Sequence, residues 1–463
     1  MAKLQRVRDP VHDLIEFDGD AFEQVCWKVV QTPQFQRLRR VKQLGFSDFV
    51  YPGAVHSRFA HSLGVFYTAR KLARVIEIQL GQQFDIRGAQ EAIAAALVHD
   101  IGHGPFSHAF EDVLKKLKLG RHEDKSVKII TDTEVGGALD EFSPGFSNKV
   151  AEIIGSETPK DIYAAIVTSQ FDADRLDYMR RDRLMAGTQS SAIDIEWLLA
   201  NLEVKRVPLD QDGSRVSDVE TLVVGQKAVL AAEAYVVGLF QLYPTIYFHK
   251  ATRGAEKLFS ALLMRVFKLV IDGSVRLVGL PENHPIVLFA KDPENLAAFQ
   301  MLDDTVVWGA MPLLADADDK CISELASRLL SRKLFKSRDI SAELEAKIPR
   351  EIGRTDEVEE KRRNIEARIR ERLGESGLLS YDDSVPSLLD DQVKRDPYKR
   401  HSGGSSAQKM IHAIDRSGNL TDLSSLSDVV GSLKPFSAYR LYFNADDDQI
   451  NAKLDTIVQE LMP

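Results

Sequence analysis

Cysteine is scarce in this sequence, long apolar runs are missing, and positive charge is in deficit. Only Cys26 and Cys321 occur, so the sequence indicates neither a disulfide framework nor a zinc site built from cysteines. No apolar run approaches the roughly 20 residues of a membrane span, and the N-terminus lacks the apolar stretch of a signal peptide. The net charge of −9 argues against a general nucleic-acid binder. We therefore expect a cytoplasmic protein with no membrane partner.

The length of the chain indicates more than one domain, because 463 residues are too many for one compact core. Helical patterns dominate residues 1–280, apart from a small N-terminal hairpin or extended arm and a strand-like stretch at 203–227 with a hairpin turn at Asp210–Gly213. Residues 281–463 combine charged helices, a flexible loop at His401–Ser406 and a final strand and helix. We predict a mainly α protein, with a helical core domain at 1–280 and a smaller α+β C-terminal module at 281–463.

Histidines cluster in one part of the chain. Six of the 11 fall within a stretch of 67 residues, where an even spread would place about 1.6. They are His56, His61, His99, His103, His108 and His122. A single histidine on an apolar helix is usually a core residue with satisfied hydrogen bonds. Six together favour a metal or phosphate site.

The segment around His99 is the centre of this cluster. Ala92–Val98 is apolar throughout and predicts a buried helix, which the turn formers in Gly102–Pro105 end. At that end His99 and Asp100 can present an imidazole and a carboxylate to one cation. The dipeptide alone is a weak signal, because composition predicts about 0.8 chance occurrences and His12 begins a second copy. The inference of a metal or phosphate site therefore depends on the clustering of the six histidines.

Two further segments carry functional side chains at helical spacing. Arg58 and His61 lie three residues apart, so on a helix one can hold a phosphate while the other binds the metal. Asp174, Tyr178 and Asp182 follow at i, i+4 and i+8, which places them on one stripe of a helix. A solvated charged face is the alternative for this stripe. Its apolar neighbours favour partial burial, and buried aspartates need partners.

Basic residues recur at two other places. The predicted helix Gln34–Leu44 surrounds an apolar face with Arg37, Arg39 and other cations, which form either a solvated face or one that meets phosphate. Lys250 and Arg253 share one face of a later predicted helix and can also meet phosphates.

Three motifs together point to a family. They are Arg58-Phe-Ala-His61-Ser-Leu-Gly64, His99-Asp100-Ile-Gly-His103-Gly-Pro-Phe-Ser-His108 and Asp172-Ala-Asp174-Arg175-Leu-Asp177-Tyr178. The sequence resembles the HD superfamily of metal-dependent phosphohydrolases, and within it the deoxynucleoside triphosphate triphosphohydrolase branch of the SAM-and-HD-domain dNTPase and its bacterial relatives. No stretch resembles the SAM domain. The resemblance implies a helical HD phosphohydrolase domain at 1–280 and a regulatory or oligomerisation module at 281–463.

The resemblance implies a role for each matched residue. The metal ligands would be His61, His99, Asp100 and Asp174, holding a divalent ion that can be Mn, Mg, Fe or Zn. The catalytic residues would be Asp100, His108 as general acid to the leaving 5′-oxygen, and His122 in support. The substrate-binding residues would be Gln43 and Leu44 beneath the sugar, Arg58, His103 and Arg175 at the phosphates, and Tyr178 and Asp182 at the sugar 3′-hydroxyl.

Two positions depart from the family pattern. Tyr243 stands where the family has an arginine that clamps phosphate, so one of the nearby basic residues would have to take its place. Gln31 stands where the activator site of the family has an aspartate, although Gln36 and Arg39 match that site. An amide pairs with a guanine edge differently from a carboxylate. We therefore expect a nucleotide effector at Gln36 and Arg39, if the chain uses one, to differ from GTP.

Three functions remain open at this point. The leading hypothesis is metal-dependent hydrolysis of deoxynucleoside triphosphates to deoxynucleoside and triphosphate. The alternative enzyme is an HD phosphohydrolase or phosphodiesterase that acts on another nucleotide or on single-stranded nucleic acid. The third is a binding or regulatory subunit that acts with a protein partner through its C-terminal module. The resemblance also implies a homo-oligomer, as a dimer or tetramer.

Overall fold

The computed structural model describes residues 4–211, 214–349, 355–379, 385–399 and 410–463. The first half of the chain contains, in order, β1 Gln5–Asp9, β2 Asp13–Phe17, α1 Ala21–Gln31, α2 Pro33–Arg37, α3 Arg58–Leu80, α4 Ile86–Val98, α5 His108–Lys116, α6 His122–Asp132, α7 Glu134–Asp140, α8 Phe146–Gly155, α9 Ala165–Thr168, α10 Ala173–Ala186, α11 Ile195–Ala200, β3 Leu202–Gln211, β4 Ser214–Val224 and α12 Val229–Leu242.

The second half contains α13 Lys250–Ile271, α14 Pro285–Lys291, α15 Leu296–Gln300, α16 Asp304–Ala315, α17 Lys320–Leu330, β5 Lys336–Asp339, α18 Ile340–Lys347, α19 Thr355–Glu375, β6 Leu388–Arg395, β7 His412–Ile414, β8 Leu420–Asp422, α20 Leu423–Leu426, α21 Asp428–Ser432, β9 Phe436–Phe443 and α22 Asp448–Leu461. Helices dominate and the sheets are small, which confirms the predicted mainly α fold with a smaller α+β part.

The chain divides into two compact units. Unit 1 comprises Met1–Leu242 and Asp396–Lys434, and unit 2 comprises Tyr243–Arg395 and Pro435–Pro463. We predicted a single boundary at residue 280, whereas this division falls after Leu242 and the chain later returns to unit 1. Composition gave no signal of it, because the helical pattern continues from α12 through a π-helical turn into α13.

Unit 1 is built around α3, α4 and α10. The helix α3 packs against both α4 and α10, and α4 packs against α8. Residues Ala92–Val98 of α4 are all buried, as their apolar sequence predicted. Burial of that helix fixes where its C-terminal end emerges, and His99 and Asp100 follow directly.

Two small sheets accompany these helices in unit 1. The predicted N-terminal hairpin is present as the antiparallel pair β1–β2. The other sheet has the order β3-β4-β7-β8, in which β3 and β4 form a long antiparallel hairpin and β4 pairs in parallel with β7. The tip of the turn predicted at Asp210–Gly213 lies outside the described residues, as does the loop predicted at His401–Ser406.

Unit 2 has its own core. The three antiparallel strands β5-β9-β6 form its sheet, on which α18 lies. The charged helix α19 buries one apolar stripe, Ile365, Ile369 and Leu373, within a cluster that includes Leu454 and Val458 of α22. The dense mixed charge of α19 predicted a solvated helix, and the faces of α19 away from this apolar stripe are indeed mostly exposed.

One helix in the described part of the chain, Gln226–Tyr247, has the length and apolar composition of a membrane span. Its mean hydropathy is 1.4, and 44% of that window is buried inside the protein. Polar interruptions such as Lys227, Glu233 and Gln241 conceal it from a search for unbroken apolar runs. Core helices of water-soluble proteins meet the same criterion, and the cytoplasmic location stays a prediction.

Candidate active site

Three helix termini of unit 1 bring the predicted metal ligands together. His61 lies in the first turn of α3, which Ser57 caps through its side chain. His99 and Asp100 follow the last residue of α4. Asp174 lies in the first turn of α10, where Asp172 caps the helix by accepting a hydrogen bond from the Arg175 backbone N–H.

The four side chains converge on one point. The Nε2 atom of His61 lies 3.0 Å from Oδ1 of Asp174 and 3.7 Å from Oδ2 of Asp100. The Nε2 atom of His99 lies 3.4 Å from Oδ1 of Asp100 and 3.6 Å from Oδ1 of Asp174. Two imidazole nitrogens and two carboxylates at this spacing form a donor set that suits a divalent ion. His99 Nε2 is buried without a hydrogen-bond partner among the described residues, which fits a position reserved for a metal.

A second layer of residues orients the histidine ligands. Nδ1 of His61 hydrogen-bonds to Oδ2 of Asp177 at 2.8 Å, and Nδ1 of His99 hydrogen-bonds to the Ala96 carbonyl at 2.9 Å. Both rings therefore present Nε2 to the centre, the arrangement that metal-binding histidines usually have. Burial lowers the pKa of His61, but the hydrogen bonds to Asp174 and Asp177 outweigh it and raise that pKa to about 10.

Asp177 is itself held by other buried groups. Its carboxylate accepts hydrogen bonds from Arg181 Nε at 2.8 Å and Nη2 at 3.0 Å, and contacts Nε2 of His12 at 2.6 Å. Burial raises the pKa of Asp177, whereas the Arg181 charge and these hydrogen bonds hold it well below its ordinary value. Arg181 also binds Asp9 of the N-terminal hairpin, so the hairpin supports the metal centre.

Arg58, predicted to hold phosphate, lies beside the metal ligands. Its guanidinium pairs with Asp100 through Nη1 and donates through Nε to the Ser107 hydroxyl at 2.9 Å. The Ser107 hydroxyl donates to the Lys42 carbonyl at 3.1 Å. Arg58 thus connects the predicted metal ligand Asp100 with the loop that follows it.

The loop between α4 and α5 is strained and tightly packed. Phe106 and Ser107 have φ values of 52° and 50°, in the left-handed region that non-glycine residues rarely occupy. The ring of Phe106 stacks on Phe46 at a centroid distance of 4.2 Å. A Cβ on Gly102 would collide with the His122 carbonyl and with Ser126, so only glycine permits this approach to α6.

The remaining histidines form a group beside the metal centre. His103 is buried, lies 3.2 Å from Asp100 through Nε2, and stacks on His122 at a centroid distance of 3.9 Å. Glu111 of α5 binds Nδ1 of His122 at 2.9 Å and lies 3.5 Å from Nδ1 of His108. Burial raises the pKa of Glu111, but its hydrogen bonds with His108 and His122 bring it well below the ordinary value.

His108 differs from its neighbours in exposure, because 71% of its side chain is accessible. A substrate can therefore reach it directly. His103, in contrast, is buried. Its burial and the nearby charges of Arg58 and His122 lower the pKa of His103 well below the ordinary value.

Two of the predicted sugar-binding residues, Gln43 and Asp182, are both bonded to His56. Asp182 is buried and hydrogen-bonded to Nε2 of His56 at 2.8 Å, while Tyr178 is half-buried one turn earlier. The backbone N–H of Gln43 donates to the His56 carbonyl at 3.0 Å, and Leu44 follows it. Oε1 of Gln43 is buried without a hydrogen-bond partner in the described part of the chain.

Two arginines have different surroundings from those expected. Arg175 turns back to pair with Asp172 and the Ser169 carbonyl, instead of pointing freely outward as a phosphate ligand would. Arg37, expected on a solvated or phosphate-facing helix, is buried and donates to the carbonyls of Ile101 and His103 at 2.9 and 2.7 Å. It supports the loop that carries His103.

The predicted effector residues and Arg253, one of the two later basic residues, have partners within the protein. Arg39 donates to Oε1 of Gln36 at 2.7 Å and stacks over Phe59 at 3.6 Å from the ring centroid. Within unit 2, Arg253 binds both carboxylate oxygens of Asp391 at 2.9 and 2.6 Å. The guanidinium of Arg253 is therefore engaged in unit 2, which argues against it as the substitute phosphate clamp.

Sequence reasoning missed the residues that act through others. Asp177 and Arg181 stand at i and i+4 on α10, a spacing that signals an ion pair but not its connection to His61. His12 drew attention only as a chance His-Asp dipeptide. The structure places it against Asp177, a contact that spans 165 positions and leaves no local pattern.

Comparison with known proteins agrees with this geometry. The HD domain family matches residues 58–182, and the HD associated region matches residues 214–279. The uncharacterized protein YwfO of Bacillus subtilis is 31% identical over 444 residues, which cover 95% of this chain and 92% of YwfO. A phosphohydrolase from Bacteroides thetaiotaomicron has a solved structure with a TM-score of 0.71 and 25% identity, covering 96% of this chain and 100% of that one.

Shorter matches reach deoxynucleoside triphosphate triphosphohydrolases. The SAMHD1 homolog of Dictyostelium discoideum is 33% identical over 244 residues, which cover 49% of this chain and 43% of the homolog. Bos taurus SAMHD1 is 46% identical over 127 residues, which cover 26% of this chain and 20% of that protein.

Fold, ligand geometry and these matches define an HD-superfamily metal-dependent phosphohydrolase of the dNTPase-like type. Within that class, the chain belongs to the family that includes YwfO of Bacillus subtilis.

Proposed function

We propose that this protein hydrolyses deoxynucleoside triphosphates to deoxynucleoside and triphosphate. The observation that carries the proposal is a set of buried polar atoms, around the metal centre, that have no hydrogen-bond partner in the described residues. They are Oε1 of Gln43, Nδ1 of His56, Nε2 of His99 and Nδ1 of His103. Because buried polar atoms are normally paired, their concentration here indicates that a polar ligand completes the site.

The residues on the two sides of the metal centre suit the phosphates and the sugar of a nucleotide. Arg58 and the histidines His103, His108 and His122 lie on the side of the loop after α4, where anions are favoured. Gln43, Leu44, Tyr178 and Asp182 lie on the side of α10 and offer the mixed polar and apolar contacts of a sugar. The names of the SAMHD1 relatives support the same substrate class.

The chain's own residues supply orientation and proton transfer. When bound, the divalent ion neutralises phosphate oxygens and lowers the pKa of water. Arg58 adds a fixed positive charge beside Asp100, and His103 offers a neutral donor or acceptor nearby. His108 protonates the leaving 5′-oxygen, since it is exposed to the substrate and stands beside the Glu111 carboxylate. His122 holds that carboxylate from its other side.

Regulation and assembly complete the proposal. Gln36 and Arg39 are preorganised by their hydrogen bond and by the stacking of Arg39 on Phe59, which suits a nucleotide effector. Gln31, in place of the aspartate of the family, argues that this effector is not GTP. A homo-oligomer follows from the family resemblance alone, and a protein partner bound through residues 281–463 belongs to the alternative in which the chain is a regulatory subunit.

The test is an anion-exchange assay of each dNTP with Mn²⁺ or Mg²⁺, alone and with a second dNTP as effector. We expect deoxynucleoside and intact triphosphate in equal amounts, and no product from the His99→Ala/Asp100→Ala double variant. A requirement for the second dNTP would establish the effector. If the metal-loaded protein turns over no dNTP in any combination, the proposal is wrong and other phosphoesters become the candidates.

The matching ribonucleoside triphosphates form the specificity arm of the same assay. Leu44 and Gln43 lie where a 2′-hydroxyl would be crowded according to the family resemblance. We therefore expect slower hydrolysis of ribonucleotides, and the variant Leu44→Ala should reduce that discrimination.

A further inference from the structure

A buried histidine–aspartate pair lies on the sugar side of the site. Nε2 of His56, in the loop before α3, lies 2.8 Å from Oδ1 of Asp182 on α10. Only 3% of the His56 side chain and 1% of the Asp182 side chain are exposed. The two residues are 126 positions apart in the sequence, so the pair forms only in the folded chain. Its burial costs the free energy of desolvating both groups.

His56 also contacts the other sugar-side loop. Its carbonyl accepts the backbone N–H of Gln43 at 3.0 Å. One residue therefore fixes the backbone of Gln43 through its main chain and the carboxylate of Asp182 through its ring. Both groups are among those that the proposed function assigns to the deoxyribose.

A purely structural histidine would have both ring nitrogens satisfied. Nδ1 of His56 is buried and has no hydrogen-bond partner in the described part of the chain. An unsatisfied buried nitrogen costs about 1 to 3 kcal/mol, which a site tolerates more readily when a ligand group occupies it. His12 makes the analogous contact with Asp177, five residues earlier on α10, but that pair supports the metal ligand His61.

We infer that His56 is a positioning residue that holds Asp182 for the sugar 3′-hydroxyl and thereby sets the preference for 3′-hydroxylated nucleotides. This inference rests on the proposed function. Nε2 fixes the rotamer of the Asp182 carboxylate, so that the carboxylate is oriented to accept a hydrogen bond from the 3′-hydroxyl. A nucleotide that lacks the 3′-hydroxyl gains nothing from this arrangement.

The test compares kcat/KM for a dNTP and its 2′,3′-dideoxy analogue in the full-length protein loaded with Mn²⁺. The variants are His56→Leu, which removes the nitrogen, and His56→Gln, whose amide nitrogen can replace Nε2. The matched control is His12→Leu, because it removes a buried histidine that contacts the same helix, α10, on the metal side. Thermal unfolding and Mn²⁺ binding verify that each variant is folded and loaded.

We expect the wild type to favour the dNTP by about 10- to 100-fold, the loss caused by removing one hydrogen bond to a charged group. His56→Leu should bring the ratio close to one by slowing the dNTP alone, and His56→Gln should restore most of the preference. His12→Leu should slow both nucleotides equally.

Two results would overturn the inference while leaving the proposed function intact. One is a wild type that hydrolyses both nucleotides equally well. The other is a His56→Leu variant that keeps the wild-type ratio or loses both activities to the same extent. A wild type that hydrolyses neither nucleotide would instead refute the proposed function and this inference together.

Discussion

Replacing Asp177 by asparagine should weaken metal binding although Asp177 is not a ligand. Oδ2 of Asp177 meets both Nδ1 of His61 and Nε of Arg181, and Oδ1 meets both His12 and Nη2 of Arg181. An amide has only one acceptor oxygen, so its NH₂ group must face an Arg181 N–H in either orientation. If the NH₂ takes the Oδ2 position, it also forces His61 to carry its proton on Nε2, which blocks that nitrogen as a ligand.

The expected size follows from two separate effects. Loss of the partner that orients a metal-binding histidine typically lowers metal affinity about 10- to 100-fold, or roughly 1.4 to 2.7 kcal/mol. Loss of one member of a buried ion pair lowers the free energy of unfolding by about 3 to 5 kcal/mol. Asp177 and Arg181 are both fully buried, so we expect the variant at the upper end of that range.

Calorimetric titration with Mn²⁺ and urea denaturation of the metal-free chain measure the two effects separately. The matched control is Asp391→Asn in unit 2, which removes a buried carboxylate from Arg253 and Lys257. That control should lose stability and keep its Mn²⁺ affinity. A folded Asp177→Asn protein that binds Mn²⁺ within twofold of the wild type would refute the reasoning.

Four further predictions concern packing and pH. Gly64→Ala places a Cβ against Asp177 and should reduce Mn²⁺ affinity and stability, whereas Gly137→Ala has open space and should leave both nearly unchanged in the same titrations. Because the pKa of His61 is raised to about 10, Mn²⁺ binding at pH 7.5 should release a proton, seen as a buffer-dependent binding enthalpy. In the metal-free chain the same shift should stabilise the fold below pH 6.5 and be lost as pH rises toward 10. Burial raises the pKa of Asp391, but the hydrogen bond from Arg253 and the charges of Arg253 and Lys257 together outweigh burial and leave that pKa below its ordinary value. In acid denaturation, the stability of the wild type should therefore fall more steeply below pH 4 than that of Asp391→Asn.

Local patterns were enough to predict the elements that carry the metal ligands. The apolar run before His99 gave a buried helix ending at the ligands, and the spacing of Asp174, Tyr178 and Asp182 gave one stripe of α10. The helix after Pro33 was predicted too long. It ends at Arg37, with one 3-10 turn after it, and Arg37 turns inward to bind backbone carbonyls of the loop after α4.

Contacts between distant segments lay beyond sequence reasoning. His56 was visible as one histidine of a cluster, but its pairing with Asp182 depends on how α3 and α10 pack. The same holds for Arg175, whose side chain can reach either outward or back to Asp172. Sequence spacing limits which residues share a helix face, but packing of other elements decides what each side chain meets.

The division of unit 1 into two stretches of chain has a consequence for protein synthesis. Every predicted metal ligand is made before Leu242, but the ribosome must add roughly 190 more residues before Lys434 completes the unit, which takes roughly 10 to 40 s. During that interval the side chains of Gln170 and Glu233 lack the groups they bind in the finished protein, the Lys399 backbone and the Ser427 hydroxyl. A nascent or truncated chain that stops before this segment carries the full ligand set on an unfinished scaffold.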